Sequence, residues 1–494
     1  MQQLTRFEQR WKRLADPGRP VPWQVDYRLM SSALARVRWE LDVVPGFRRN
    51  PNFYVEQTLG AIFDRLLEPP PFSAGRVSEI ARRLERIPRT LESAKENLTE
   101  AIAPFARLAI ATLRQVRARL GGSVRELKAH LPAGSATGLE PAAENAIAAL
   151  ESYRGWLESR LPAMSERTAV GREAYVFFLK EVALLPYTPE ELLAAGRQEW
   201  ARAVAFETYQ QAGATGLAPL PLFPDVAAQI ARETKDELAV RRFLEEKEIL
   251  SVPSWVRHYR GLPMPEYLAP LASLGVTDDL TGPSRLKQDG VSYRSTPSPK
   301  LPYFALSQAR DPRPILVHEG IPGHYLQLVL SWAHENRVRR HFYDSGPNEG
   351  IGFYAEEMLK EAGYFDDSPR TREIIDNFAR LRALRVEVDV RLALGTFTID
   401  EAAGYLERTV PMDRETAREE AASFAAGPGQ AISYQIGKLQ ILRLLADARR
   451  AQGEKFRLRD FHDFVWKNGN VPLSLQRWEL LGDRNDIDRL ETLR

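Results

Sequence analysis

The sequence of 494 residues contains no cysteine. Disulfide bonds and thiolate metal sites are therefore excluded, and the redox state of the compartment cannot be inferred. Long apolar runs are missing as well. No stretch approaches the roughly 18 residues of a membrane span, and the N-terminal MQQLTRFEQRWKRL has no apolar core of the signal-peptide kind. We therefore expect a cytoplasmic protein.

A basic run is also absent. The 68 Lys and Arg residues are nearly balanced by 66 Asp and Glu residues, which leaves a formal net charge of +2. Because no basic segment stands alone, the sequence shows no footprint for nucleic acid, and we expect neither nucleic acid nor membrane as a partner. With 44% apolar and 27% charged residues, the composition is that of an ordinary folded domain.

The length would allow two or three domains, but helical patterns almost throughout predict one large, mainly α-helical body with a central cleft. Residues 1–260 read as helices that form the walls of the cleft, with apolar residues at three- and four-residue spacing. Residues 261–313 are rich in loops, with nine prolines and four glycines between Gly261 and Pro314. Residues 314–494 return to helices and contain the residues suited to catalysis.

Histidines cluster in one segment of this last region. Of seven histidines in the chain, four fall within the 24 residues from 318 to 341, and the first two stand in the segment HEGIPGH. Two imidazoles and a downstream carboxylate form the ligand set of a catalytic zinc ion, with water in the fourth position. We therefore interpret His318, His324 and Glu349 as ligands of one Zn²⁺ ion and Glu319 as the catalytic base.

The spacing of the two histidines is unusual. In the common zinc-protease helix they stand four apart, which puts both on one face; here they stand six apart. Six residues of a regular helix advance about 9 Å and roughly 600°, which separates the side chains. Pro322 and Gly323 supply the means for a bulge or an unwound turn between them. The alternative is a helix that ends at Pro322 beside two unrelated histidines.

A second helix is predicted to begin near Asn348, which can cap it and leaves Glu349 in the first turn. A good helix start is the alternative explanation for that carboxylate. Glu356 lies on the same helical face and could orient a ligand histidine, although a solvent-exposed position fits its sequence context equally well. We interpret His334 and His341 as surface or structural residues.

Three segments, HEGIPGHYLQ, NEGIGFYAEEM and PGQAISYQIG, resemble the signature blocks of the bacterial "domain of unknown function 885" family, which is grouped with the zinc peptidases of the gluzincin type. The resemblance implies a mostly helical metallopeptidase-like fold. It matches His318 and His324 to the metal-binding histidines, Glu319 to the catalytic glutamate and Glu349 to the third ligand. Two departures concern the pocket: Ile351 replaces a usual Trp, and Ala393 stands where many members carry a histidine.

Further substrate contacts are expected around this site. In related peptidases, tyrosines at places comparable to Tyr434 donate a hydrogen bond to the oxyanion; a buried core tyrosine is the alternative. Arg385 can pair with Asp389 four residues on, or reach a substrate carboxylate. Tyr303 and Gln430 complete the set of expected substrate-binding residues.

The loop-rich region carries two candidate strands, VSYRS at 291–295 and YFALS at 303–307. We hypothesise that the second is an edge strand beside the active-site helix that pairs with an extended peptide; an ordinary surface hairpin is the alternative. Together these features predict a zinc metallopeptidase for short or unfolded peptides. A zinc hydrolase of a non-peptide amide or modified metabolite, and an inactive helical binding protein, are the other two interpretations.

Overall fold

The computed structural model describes residues 1–132, 134, 138–280, 286–410 and 412–493. The chain is mainly α-helical with one small sheet, as the sequence predicts. In the described part of the chain, no helix combines the length and apolar character needed to cross a membrane.

The helices before the sheet form where apolar residues recur at three- and four-residue spacing. In α6, for example, the buried residues Val77, Ile80, Leu84, Ile87 and Leu91 form one face, and this face joins the core that α9 also lines. The helices of this region are α1 (Gln2–Lys12), α2 (Val21–Arg38), α3 (Gly46–Arg49), α4 (Pro51–Val55), α5 (Ala61–Leu67), α6 (Ala74–Asn97), α7 (Ala103–Leu113), α8 (Val116–Leu127), α9 (Leu139–Arg160), α10 (Arg172–Phe177), α11 (Pro189–Gly213) and α12 (Val226–Glu246).

The sheet has three strands, β1 (Tyr259–Pro263), β2 (Asp278–Asp279) and β3 (Gly290–Arg294), in the order β1-β3-β2. The central strand β3 is buried along its whole length. It runs parallel to β1, with Tyr259 opposite Gly290, and antiparallel to β2, with Asp278 opposite Ser292. The predicted strand at 291–295 is therefore confirmed within about one residue.

The predicted edge strand at 303–307 is wrong, because these residues form the short helix α13 (Tyr303–Gln308). Pro302 immediately precedes the helix and is suited to its start, since it lacks a backbone N–H that would go unpaired there. The Tyr303 ring packs against Phe304 and Phe378. Both sides of β3 are already occupied by β1 and β2, so this segment has no strand to pair with there.

The remaining helices surround the histidine segment. They are α14 (Arg313–Ile315), α15 (His324–Ala333), α16 (Arg337–His341), α17 (Ser345–Glu361), α18 (Pro369–Leu394), α19 (Ile399–Thr409), α20 (Arg414–Ala426), α21 (Ile432–Gln452), α22 (Leu458–Asn468), α23 (Leu473–Leu481) and α24 (Asn485–Thr492).

The start of α17 differs from the prediction. Asp344 caps this helix by accepting a hydrogen bond from the Gly346 backbone N–H at 2.9 Å. Asn348 is already inside the helix and donates to Gln327. Glu349 therefore lies in the second turn. The partial positive charge at the helix N-terminus stabilises a carboxylate less there than in the first turn.

Helices α17 and α21 meet at two glycines. A Cβ on Gly350 would lie 2.7 Å from the Gly437 backbone, and a Cβ on Gly437 would lie 2.2 Å from the Gly346 carbonyl oxygen. Any side chain at either position would separate the helices. This close approach brings Tyr434 of α21 toward the carboxylates of α17.

Candidate metal centre

The helix that carries the two histidines is interrupted between them. His318 lies in a π-helical turn, Leu316–Gly320, and α15 begins at His324. A Cβ on Gly323 would lie 1.7 Å from the His318 carbonyl oxygen, so only glycine fits this turn. The indole N–H of Trp466 donates to the Pro322 carbonyl at 2.6 Å. The interruption brings the imidazoles together, with ring centroids 4.7 Å apart and planes at 80°.

The carboxylate of Glu349 reaches both rings. Its Oε2 lies 3.2 Å from Nε2 of His324 and 3.6 Å from Nε2 of His318. Ligand atoms at about 2.0–2.2 Å from one tetrahedral zinc ion are about 3.3 Å apart, so this spacing fits a shared ion. Burial opposes ionisation of Glu349, but the two histidines outweigh it and hold its pKa well below the usual range. The donor set thus matches zinc in chemistry and in spacing.

Glu319 lies beside the same imidazoles. One atom each of His318, Glu319 and His324 lie within 4.8 Å of one another, in an arrangement that could hold a metal ion. Because Glu349 already contacts both histidines, Glu319 can take a different role. A carboxylate that directly follows the first ligand in sequence, and lies next to both ligands, is suited to accept a proton from water there.

Gly352 gives the imidazoles the room to approach α17. A Cβ at this position would lie 2.9 Å from Cε1 of both His318 and His324. The residue lies three positions after Glu349, so the two are adjacent on the helix surface. The role of this glycine cannot be predicted from the sequence, although it stands inside the segment NEGIGFYAEEM, because it depends on how closely two other segments approach it.

Behind His318 lies a buried charged pair. Nδ1 of His318 is 2.6 Å from Oε1 of Glu356, and Arg382 binds both oxygens of that carboxylate at 2.8 and 2.9 Å. Because a carboxylate only accepts, Nδ1 carries a proton, and Nε2 is the ring nitrogen that faces Glu349. Burial and Arg382 lower the pKa of His318, but the hydrogen bonds to Glu349 and Glu356 raise it to about 9. The role of Arg382 cannot be predicted from the sequence, because its partner is 26 residues away.

Tyr434 on α21 faces the same centre. Its ring is nearly parallel to that of His318, with centroids 6.3 Å apart, and the Arg385 guanidinium lies 4.7 Å from its centroid. Burial, followed by the charge of Glu349, raises the pKa of Tyr434 well above its usual value. The phenol is therefore neutral and able to donate a hydrogen bond.

The expected substrate-binding side chains are engaged within the protein. Arg385 pairs with Glu420, so the expected pair with Asp389 is wrong: Asp389 accepts from backbone groups of the turn before α21 instead. The Tyr303 hydroxyl donates to Asn377. Gln430 accepts from Ser345 at 2.8 Å. Their roles toward a substrate remain predictions.

Asp278 on β2 is a further carboxylate near the base. It accepts hydrogen bonds from Ser292 and, at 3.3 Å, from the Tyr259 hydroxyl. Burial and then the charge of Glu319 raise its pKa to about 6. Asp278 of β2 and Tyr259 of β1, and not residues 303–307, are therefore the strand residues near Glu319. A two-residue strand in a loop-rich region has no periodicity by which the sequence could reveal it.

The two remaining histidines of the cluster, and the two residues that depart from the signature blocks, make contacts outside the candidate metal centre. His334 accepts from the Asn336 backbone N–H at 3.0 Å, and His341 is exposed beside the Trp332 ring. Ile351 and Ala393 are buried in apolar clusters.

The model of the family described as "Bacterial protein of unknown function (DUF885)" matches residues 1–247 and 257–480. No curated protein matches the chain.

Two solved structures are similar in fold. One, described as a "putative lipoprotein of unknown function" from Shewanella oneidensis, has a TM-score of 0.74 at 17% identity and covers 97% of this chain and 91% of that chain. The other, a "putative lipoprotein" from Colwellia psychrerythraea, has a TM-score of 0.69 at 18% identity and covers 86% of this chain and 77% of that chain. Both likenesses concern the fold alone.

Proposed function

This chain belongs to the bacterial family of unknown function DUF885, and from the geometry of its histidine site we propose that it is a zinc-dependent hydrolase, most specifically a metallopeptidase of short or unfolded peptides. The observation that carries the proposal is the convergence of three ligand-type atoms, from His318, His324 and Glu349, at 3.2 and 3.6 Å. Glu319 stands beside them as a second carboxylate.

His318, His324 and Glu349 would hold the ion. When bound, zinc lowers the pKa of a water molecule and polarises a scissile carbonyl. The pair of Glu356 and Arg382 keeps the proton of His318 on Nδ1, so that Nε2 faces the ligand position.

Glu319 would accept a proton from the attacking water and return it to the leaving amine, as the carbon–oxygen bond forms and the carbon–nitrogen bond breaks. The neutral phenol of Tyr434 would donate a hydrogen bond to the oxyanion that develops on the carbonyl. These two roles would serve the hydrolysis of any amide bond. The proposal of a peptide as the substrate follows from the resemblance to zinc peptidases.

The test of this proposal is Glu319→Gln. We expect the variant to retain bound zinc and to lose peptide hydrolysis by at least about 100-fold, because the base is lost and the ligands remain. Metal analysis and turnover of a mixed peptide digest, read by mass spectrometry with and without chelator, measure the two effects. Glu335→Gln, an exposed carboxylate on the same segment, is the matched control and should keep full activity.

The same experiment separates the alternatives. Bound zinc with no peptide cleaved would favour a non-peptide amide as the substrate. A protein without zinc would favour an inactive binding protein. Full activity of Glu319→Gln would show that the base is another group. Peptides blocked at either end would distinguish cleavage from an end from cleavage inside the peptide.

A further inference from the structure

Helix α18 presents a row of buried charged residues to the site. Arg382, Arg385 and Asp389 follow one another at intervals of three and four positions and therefore share one face. They are 3%, 5% and 0% exposed. Arg382 holds Glu356 behind His318, and Arg385 lies over the Tyr434 ring. Asp389 has no part in the proposed chemistry, so its burial needs another explanation.

Asp389 binds the turn that leads into α21. Its Oδ1 accepts from the Tyr175 hydroxyl and from the Gly429 backbone N–H, each at 2.9 Å. Its Oδ2 accepts from the Ala431 backbone N–H at 2.8 Å. In the described part of the chain, no basic side chain forms an ion pair with it. A buried anion without a cation costs free energy unless hydrogen bonds replace its water, and here three donors do so.

The same turn is also tied to α17. Between the two backbone groups that Asp389 binds, the Gln430 side chain accepts from Ser345 at 2.8 Å. Ser345 is the first residue of α17, the helix of Glu349 and Glu356. Gly429 adopts a left-handed conformation with φ +93°, and the Phe178 ring occupies the space where a side chain would project. The turn is therefore held from three sides.

We propose that Asp389 is a positioning residue, which anchors the turn at 427–431 and so sets where the phenol of Tyr434 stands relative to His318 and Glu349. The inference rests on the proposed function, because it gives Tyr434 a role in the reaction. Tyr434 is the third residue of α21, directly after the anchored turn, so a shift of the turn moves its hydroxyl. A displacement of about 1 Å in such a group can cost about 100-fold in rate.

The decisive experiment is a double-mutant cycle in the full-length protein. Asp389→Asn should lower kcat by about tenfold to about 100-fold with little change in KM or zinc content, because one amide N–H₂ then faces backbone donors. Tyr434→Phe alone should lower kcat by about 100-fold. In the Tyr434→Phe background, Asp389→Asn should have less than about a twofold further effect, since the group it positions is already absent.

A matched control lies on the same helix. Asp376 is also buried, and its carboxylate pairs with Lys360 and does not contact the turn. Asp376→Asn should lower stability, but any loss of kcat should be equal in both backgrounds. If Asp389→Asn fails to fold, Tyr175→Phe removes one of the three donors and should show the same non-additivity at smaller size. Full additivity of either variant with Tyr434→Phe would overturn the inference.

Hydrogen exchange provides a readout that does not depend on activity. Asp389→Asn should speed amide exchange in residues 427–436, and Asp376→Asn should not. Unchanged exchange in that segment would overturn the anchoring role even if kcat falls. If the wild-type protein hydrolyses no substrate, the proposed function fails, and the exchange result alone decides whether Asp389 anchors the turn.

Discussion

At Gly352 a single methyl group would enter the space of two proposed metal ligands. Its Cβ would meet Cε1 of His318 and of His324 at 2.9 Å. Gly352→Ala should therefore force at least one imidazole away and lower zinc affinity at least about tenfold, which competition with a chromophoric chelator measures.

Gly155 provides the control for this substitution. It lies inside helix α9, and a Cβ added there would meet no described atom within 4 Å apart from its chain neighbours and the adjacent backbone of its own helix. Gly155→Ala should therefore raise stability by about 1 kcal/mol and leave zinc affinity unchanged. If Gly352→Ala binds zinc as tightly as the wild type, the two histidines do not share an ion in this geometry.

Because of His462, the free energy of unfolding should decrease in mild acid. Its Nδ1 donates to the Ile249 carbonyl at 2.7 Å, and its Nε2 accepts from the Tyr354 hydroxyl at 2.8 Å. Burial lowers its pKa to about 4, against about 6.5 in the unfolded chain. Between these values the unfolded chain binds a proton that the folded chain does not. Stability is therefore lost as pH falls from about 6.5 to about 4, by roughly 3 kcal/mol.

The measurement for His462 is urea unfolding at pH 7 and at pH 4.5, with chelator present so that metal release does not contribute. His462→Asn cannot gain the proton, and its stability should change less over the same range. Parallel losses in the wild type and the variant would exclude His462 as the cause.

At the scale of the element, the segments Thr-Pro-Glu-Glu and Thr-Ile-Asp-Glu predict helix starts at Thr188 and Thr398, and both are confirmed. Each hydroxyl accepts from the backbone three residues on, and the glutamate there accepts from the threonine N–H. These bonds need only local residues, which explains why the sequence was sufficient.

Thr188→Ala should cost about 1 kcal/mol of unfolding free energy, because the Glu191 backbone N–H loses its acceptor, with no change in hydrolysis. Thr208→Ala, an exposed position inside the same helix, should be neutral or slightly stabilising because alanine favours the helix interior. Chemical denaturation compares the two. Equal effects would show that the hydroxyl of Thr188 is not a stabilising cap.

At the scale of the molecule, the proposed site joins segments that are distant in sequence. The interrupted helix supplies two ligands, α17 supplies the third, and α18 and α21 support them from the other side. An ion that binds only the folded arrangement stabilises it by mass action, by about 3 kcal/mol at a hundredfold excess over Kd.

A chelator should therefore lower the melting temperature of the wild type. His318→Ala removes a ligand, so its melting temperature should not respond to chelator or to added zinc. Differential scanning calorimetry at fixed protein concentration measures both. An equal response in the variant would mean that the ion binds elsewhere.

By itself, the sequence determined the features that depend on neighbouring residues: the helical class, the two capping boxes, the strand near 291 and the interruption at Pro322–Gly323. Where a prediction needed a distant partner, the sequence did not suffice. The pattern of residues 303–307 is compatible with a strand, but β1 and β2 already occupy both sides of β3. Asn348 is of a residue type that caps helices, but Asp344 caps α17.

Only the tertiary structure decided which charged groups meet. Arg382 faces Glu356, Arg385 faces Glu420 rather than Asp389, and Gly352 leaves room for both imidazoles. The physical reason is the separation in sequence between the interacting residues. Hydrogen bonds within a turn are set by a few consecutive residues, whereas the pairing of buried charges depends on how whole helices pack.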